Sequence, residues 1–230
     1  MQFEVRMTED GSHTLYVEGI DECYHSTHGA VQESAHIFIT DGLKTFASTY
    51  MQDENCELPP QMSVLEVGFG TGLNAYLTIL EAERLKIHIH YTSIELYPLS
   101  ATVATQLNYP EILGKERDLF EKIHGLSWGE VHRVSSFFSL YKVQADFITY
   151  ELRDRYDVIY FDAFSPEKQP EMWSEQCFGK LYNHCNENAV LTTYCAKGAV
   201  RRAMQSAGFI VERLPGPPGK REVLRGKYRK

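Results

Sequence analysis

The chain is poor in the features that mark secreted, metal-bound or membrane proteins. Its five cysteines, Cys23, Cys56, Cys177, Cys185 and Cys195, are scattered through 230 residues. They are odd in number and contain no C-x-x-C pair, so neither a disulfide framework nor a zinc site follows. Their expected role is that of reduced core residues. No apolar run approaches the roughly eighteen residues that span a bilayer, and "MQFEVRMTEDGS" lacks the basic-then-apolar order of a signal peptide. A cytoplasmic chain with no membrane partner is expected. Positive charge is also short: 23 Lys and Arg against 31 Asp and Glu give a net charge of −8, which argues against a simple nucleic-acid binder. Internal repeats and low-complexity tracts are absent.

What is present is unevenly distributed. From Lys197 to Lys230 there are ten Lys or Arg and two Glu, so this tail is about +8 and the first 196 residues about −16. A basic face for an anionic partner and a merely solvated tail both fit that count. With 43% apolar and 23% charged residues, the chain can build one substantial core.

Residues 1–60 read as an N-terminal extension packed on a main domain of residues 61–230. Asp10-Gly11 between two β-rich runs predicts a hairpin, "GAVQESAHIFIT" a short helix, and "QDENCELPP" a linker. From residue 63 strands and helices alternate, the pattern of a parallel sheet with crossover helices. Strands are predicted at 63–67, 87–95, 137–145, 156–164, 189–195, 209–214 and 221–226, and helices near 73–85, 99–108, 116–123, 172–184 and 197–206. "PGPPGK" is too short for a crossover, so the last two strands form an antiparallel hairpin. The fold class expected is α/β: a Rossmann-like, mostly parallel sheet with an antiparallel terminal strand, as in class I S-adenosyl-L-methionine (SAM)-dependent methyltransferases.

The sharpest motif is "LEVGFGTGLN", which holds Glu66, Gly68, Gly70, Gly72 and Asn74 between a strand and a helix. Glycines suit a tight turn that lets backbone approach a ligand. The spacing is not that of a dinucleotide or P-loop motif, and an acid before the first glycine disfavours phosphate. A carboxylate at Glu66 suits a cofactor with a cationic end, such as the amino group and sulfonium of SAM. Glu95, 23 positions past Gly72, stands where a ribose-binding acid is expected. Asp146 ends the third strand, as an adenine-binding acid or as a helix N-cap. Three histidines, His25, His28 and His36, form no ligand set with paired cysteines or paired acids; surface or capping roles are expected and no metal.

"YDVIYFDAFSPEKQPEMW" closes a strand on Asp162 and continues in a loop stiffened by Pro166 and Pro170. Asp162 either caps the turn or faces the ligand edge.

Together "GFGTGLN", "ELYPL", "FDAFSPEKQPEMW", "VRRAMQSAGF" and "GKREVLRG", with "YHSTHGAVQESAHIFI" upstream, resemble the methyltransferase domain of the bifunctional tRNA 5-methylaminomethyl-2-thiouridine biosynthesis family, MnmC. The resemblance runs from about residue 20 to about 227. It is to the stand-alone form, sometimes called MnmD, because the FAD-dependent oxidase domain of the two-domain members does not follow. It implies methylation of 5-aminomethyl-2-thiouridine at the tRNA wobble position, with the oxidase step left to a separate protein. Asp162 is then the catalytic candidate, accepting an amine N–H and aiming its lone pair. Phe164 is a candidate to flank an unpaired anticodon-loop base, while Tyr160 and Phe161 fit the core and Trp173 either role. Lys197, Arg201, Arg202, Lys220 and Arg221 are candidates for tRNA phosphate. An aminopropyltransferase of the spermidine synthase type and a non-catalytic RNA-binding protein are the rival expectations.

Overall fold

Asp10 turns the chain back on itself at its N-terminal end, its Oδ1 accepting from Ser12 N–H at 2.9 Å and from the Thr8 hydroxyl at 2.7 Å. The turn joins β1 (Phe3–Met7) to β2 (His13–Val17), and a two-residue β3 (Glu22–Cys23), not expected from the sequence, completes a three-stranded antiparallel sheet. The computed structural model describes residues 2–50 and 61–229. The expected linker "QDENCELPP" and Cys56 lie outside the described residues.

The short helix expected in "GAVQESAHIFIT" is longer. α1 (Ala30–Ser34) continues through a π-helical stretch (Ala35–Lys44) into α2 (Thr45–Tyr50). Gly42 hides this continuity in sequence, since glycine costs about 1 kcal/mol in a helix interior. Packing there is tight: a Cβ would stand 3.2 Å from Thr192 Oγ1 and 3.3 Å from the Tyr160 ring, so those side chains would have to shift by a few tenths of an ångström.

The remaining elements are β4 (Gln61–Val67), α3 (Leu73–Leu85), β5 (His88–Glu95), α4 (Ala101–Ala104), α5 (Tyr109–Ile112), α6 (Asp118–Gly125), β6 (Val131–Arg133), β7 (Phe138–Gln144), β8 (Tyr156–Phe161), a 3-10 turn (Pro170–Trp173), α7 (Glu175–Asn183), β9 (Cys185–Thr193), α8 (Gly198–Ser206), β10 (Ile210–Pro215) and β11 (Glu222–Lys227). They build an eight-stranded sheet of order β10-β11-β9-β8-β4-β5-β7-β6. β7, β5, β4, β8 and β9 run parallel, and β11 lies antiparallel between β9 and β10. This is the class I architecture expected, with β6 added antiparallel on the far edge.

Two helix boundaries differ from expectation for local reasons. The helix expected over 99–108 stops early because Asn108 is pinned to the N-terminal hairpin, accepting from His13 N–H at 2.7 Å and donating to the Gly11 carbonyl at 2.9 Å. The helix expected over 172–184 starts only after Ser174, which adopts extended φ and ψ and accepts from Cys177 N–H as an N-cap.

β8 is buried along its whole length because both faces of the sheet are covered. Alternation sends Val158 and Tyr160 to one core, with the π-helical stretch and α3, and Ile159 and Phe161 to the other, with α7 and α8. Leu15, Ala30, Ile37 and Phe38 share the first core with Met62 and Val64. The N-terminal segment is therefore continuous with the sheet packing that positions the site.

Candidate active site at the carboxyl edge of the sheet

Backbone bonds tie three strand ends together. Gly68 N–H donates to the Ile94 carbonyl at 2.9 Å and Asp162 N–H to the Val67 carbonyl at 3.0 Å. Gly68 has φ +95°, and a Cβ on it would lie 2.5 Å from the Asp162 carbonyl oxygen. At Gly70, φ +48°, a Cβ would lie 2.9 Å from the Tyr24 ring. Glycine is thus dictated at both positions. Gly72 caps α3 behind the loop and faces His124.

Over this edge lies a cavity of about 400 Å³. Gly68, Gly70, Asn74, Glu95, Asp146, Asp162 and Phe164 all line it, so the structure gathers them from four separate stretches of sequence. Glu95 holds the glycine loop and its own turn, accepting from Gly70 N–H at 3.0 Å and Tyr97 N–H at 2.8 Å. Asp146 closes a turn with Ile148 N–H at 2.9 Å. Asn74 Nδ2 donates to Asp162 Oδ2 at 2.8 Å. Burial pushes the Asp162 carboxyl up to about 7; the Asn74 bond and Lys220 oppose the rise, and the Glu33 charge adds to it.

Sequence reasoning missed the side of the cavity supplied by the N-terminal segment and Tyr194. Tyr24 packs its ring 5.1 Å from that of Phe164. His25, buried rather than on the surface, shares a 2.6 Å hydrogen bond with Thr71 Oγ1, and burial lowers its pKa to about 4, so the ring is neutral. Glu22 accepts from Ser165 N–H and hydroxyl, fastening β3 to the loop after β8. Glu33, 7% exposed, accepts from Ser26 N–H at 2.9 Å and pairs with Lys220 at 3.3 Å. The only sequence signal was the "YHSTHGAVQES" segment as a whole. Trp173 staples the loop, donating from Nε1 to the Phe164 carbonyl at 2.8 Å, with its ring 5.0 Å from that of Phe161.

Several expected site residues stand elsewhere. Glu66 is not part of the lining; strand alternation turns it into the sheet, fully buried, where the Ser93 hydroxyl donates to it at 2.6 Å. Lys220, expected as a contact to tRNA phosphate, lines the cavity with its ammonium 4.8 Å from the centre of the Tyr194 ring. Lys197 pairs with Glu167 at the start of α8. Arg202 and Arg221 are exposed outside the cavity, and Arg201 is half-buried with Nε unpartnered. Among the described residues no group of His, Cys, Asp or Glu is placed to hold a metal ion, and no helix is long and apolar enough to cross a membrane.

Among the described residues the lining carries six carboxyl groups, Glu22, Glu33, Glu95, Asp146, Asp162 and Glu171, against one cation, Lys220. That balance fits a cationic ligand and disfavours a polyphosphate. Residues 130–229 match the family model described as S-adenosyl-L-methionine-dependent methyltransferase. The fold and the cofactor are those of a class I SAM-dependent methyltransferase. The chain is similar, at 30% identity over 221 residues covering 90% of it, to the tRNA 5-methylaminomethyl-2-thiouridine biosynthesis bifunctional protein MnmC of Leptospira borgpetersenii. It spans about a third of the length of the curated relatives it matches, 32% in that case. Among solved structures, MNMC2 of Aquifex aeolicus superposes with a TM-score of 0.75 at 23% identity, over 98% of this chain and 70% of that one. Spermidine synthase of Thermotoga maritima gives 0.56 at 12% identity, over 98% and 68%. Both likenesses are of fold.

Proposed function

We propose that this chain methylates the exocyclic amine of 5-aminomethyl-2-thiouridine at the tRNA wobble position, giving 5-methylaminomethyl-2-thiouridine, in the cytoplasm. The oxidase step belongs in this reading to a separate FAD-dependent activity. The observation that carries the reading is the acid-rich cavity closed by Asp162 and Phe164, together with similarity over nearly the whole chain to proteins named for this nucleoside.

SAM supplies an electrophilic methyl on a cationic sulfur. The chain's residues align and deprotonate. Glu95, Asp146 and the glycine loop hold the cofactor at the strand ends, with backbone allowed close by Gly68 and Gly70. A primary alkylamine titrates near 10.4 and is mostly protonated at neutral pH, so the site must favour the free base. Asp162, kept in orientation by Asn74, accepts an amine N–H and aims the lone pair at the methyl. With its carboxyl at about 7, it is closer to a competent base than an ordinary aspartate. Tyr24 and Phe164 form an aromatic wall against which an unpaired base can stack.

The test is methyl transfer from labelled SAM to bulk tRNA of a strain lacking this protein, followed by nucleoside analysis. Label should appear in a 5-methylaminomethyl uridine. Label absent from tRNA while putrescine is alkylated from decarboxylated SAM would replace the reading with aminopropyl transfer.

A further inference from the structure

Glu66 stands apart from the other acids at the strand ends. Its side chain is 0% exposed, and register sets it between Ser93 of β5 and Tyr160 of β8. Ser93 Oγ donates to Oε2, but Oε1 has no partner. Asn74 carries a matching orphan: Nδ2 donates to Asp162, while the buried Oδ1 is unpartnered. Both Asn74 and the buried hydroxyl of Tyr91, itself without another partner, act on the Glu66 carboxyl as hydrogen-bonding neighbours. Tyr91 can donate to a Glu66 oxygen in either protonation state, so the acceptor left without a donor is Asn74 Oδ1, and a proton on Glu66 is what could supply one.

We propose that Glu66 is a neutral carboxylic acid that donates its proton to Asn74 Oδ1 and so turns the Asn74 amide N–H toward Asp162. Glu66 is then a positioning residue for Asp162 and does not touch the cofactor. Two carboxyls flank one amide, and the amide's orientation decides which of them carries charge. Asp162 faces the cavity, where solvent or a cationic ligand can stabilise its anion; Glu66 is sealed, and an anion there is the costlier choice. Burial and the neighbouring Asp162 charge both drive Glu66 well above the ordinary carboxylate range. A flipped Asn74 would place the charge on Glu66 and a proton on Asp162, removing the acceptor at the cavity.

The role of Asp162 in this inference rests on the proposed methyl transfer, but its test does not. Glu66→Gln keeps a donor, Nε2–H, where the acid held O–H. The Gln variant is expected to bind SAM within about twofold of the wild type by calorimetry, and to lose one protonated-carboxyl C=O band in infrared difference spectra at neutral pH. Turnover should survive in Glu66→Gln and fall by about tenfold or more in Glu66→Ala, with the acceptor KM little changed. A tenfold loss of SAM affinity in the Gln variant, or no such band, would overturn the proposal. Binding and spectra need no tRNA, so a wild type inactive on this tRNA would sink the functional reading and leave the proton placement decided.

Discussion

Replacing Asp162 by asparagine should change the pH dependence of stability by a calculable amount. The Asp162 carboxyl sits at about 7 in the folded chain against an ordinary 3.8. The folded state therefore keeps a proton that the unfolded chain has lost, and stability that is full below the unfolded pKa declines as pH rises through 7. The difference corresponds to roughly 4 kcal/mol in all, of which about 1.5 is gone by pH 5 and a further 2 to 3 goes between pH 5 and pH 8. Asp162→Asn is neutral throughout and can still accept from Asn74, so it should not lose this part. Urea unfolding of both proteins at pH 5 and pH 8 gives the comparison, since other groups titrate in both and cancel to first order. The variant should gain about 2 kcal/mol on the wild type over that interval while losing methyl transfer. Parallel stability profiles would show that Asp162 is already ionised in the empty cavity, and the argument for its raised basicity would fail.

Two other outcomes follow from named contacts. Lys142 is 1% exposed, donates to the Ile123 and His124 carbonyls at 2.8 and 3.3 Å, and has no carboxylate partner among the described residues. Lys142→Met should cost about 2–3 kcal/mol in urea unfolding by orphaning both carbonyls at the end of α6; a loss under about 1 kcal/mol would mean that water replaces the ammonium. For tRNA binding, five basic residues of the tail are already paired: Lys197 with Glu167, Lys220 with Glu33, Arg213 with Glu222, and Arg225 and Lys227 with Glu212. The exposed Arg202, Arg221 and Arg229, with Arg201, should give a log–log salt slope of about −3 to −3.5 in fluorescence anisotropy with tRNA, and a slope of −6 or steeper would show that the pairs open on binding.

The sheet was legible because its strands are short apolar runs bounded by turns, and because the glycine loop falls between a strand and a helix. Glu95, Asp146 and Asp162 were legible for the same reason: the carboxyl end of a strand is a fixed place in such a fold. What escaped was set by contacts between distant residues. Glu22 and Ser165 are 143 positions apart, and no local pattern announces that β3 will fasten to the loop after β8. Lys220 looked like one charge in a basic run, yet the β10–β11 turn carries it to Glu33. Glu66 was misplaced because a strand-end acid can turn toward the ligand edge or into the sheet. Its neighbours Leu65 and Val67 both fall in the core with α7 and α8, which sends Glu66 to the opposite face.

The two halves of the cavity come from different parts of the chain, with a physical consequence for specificity. The cofactor half is made by strand ends whose positions are fixed by the parallel sheet. The other half is a wall in which the N-terminal segment meets the terminal hairpin. Lys220 pairs with Glu33, His36 Nε2 lies 2.9 Å from the Pro215 carbonyl, and Arg225 donates to the Asp41 carbonyl at 3.2 Å. Gly68, Glu95 and Asp146 are held by bonds within the sheet and its loops, while the wall touches the glycine loop through Tyr24 at Gly70 and His25 at Thr71, so changes at Glu33, Lys220 or Tyr194 can alter what faces Asp162 with those strand ends kept. The fold can therefore keep one cofactor and vary its acceptor. On the proposed reading, the acids that this wall adds beside Asp162, Glu22 and Glu33, favour a basic amine over a neutral hydroxyl as the acceptor.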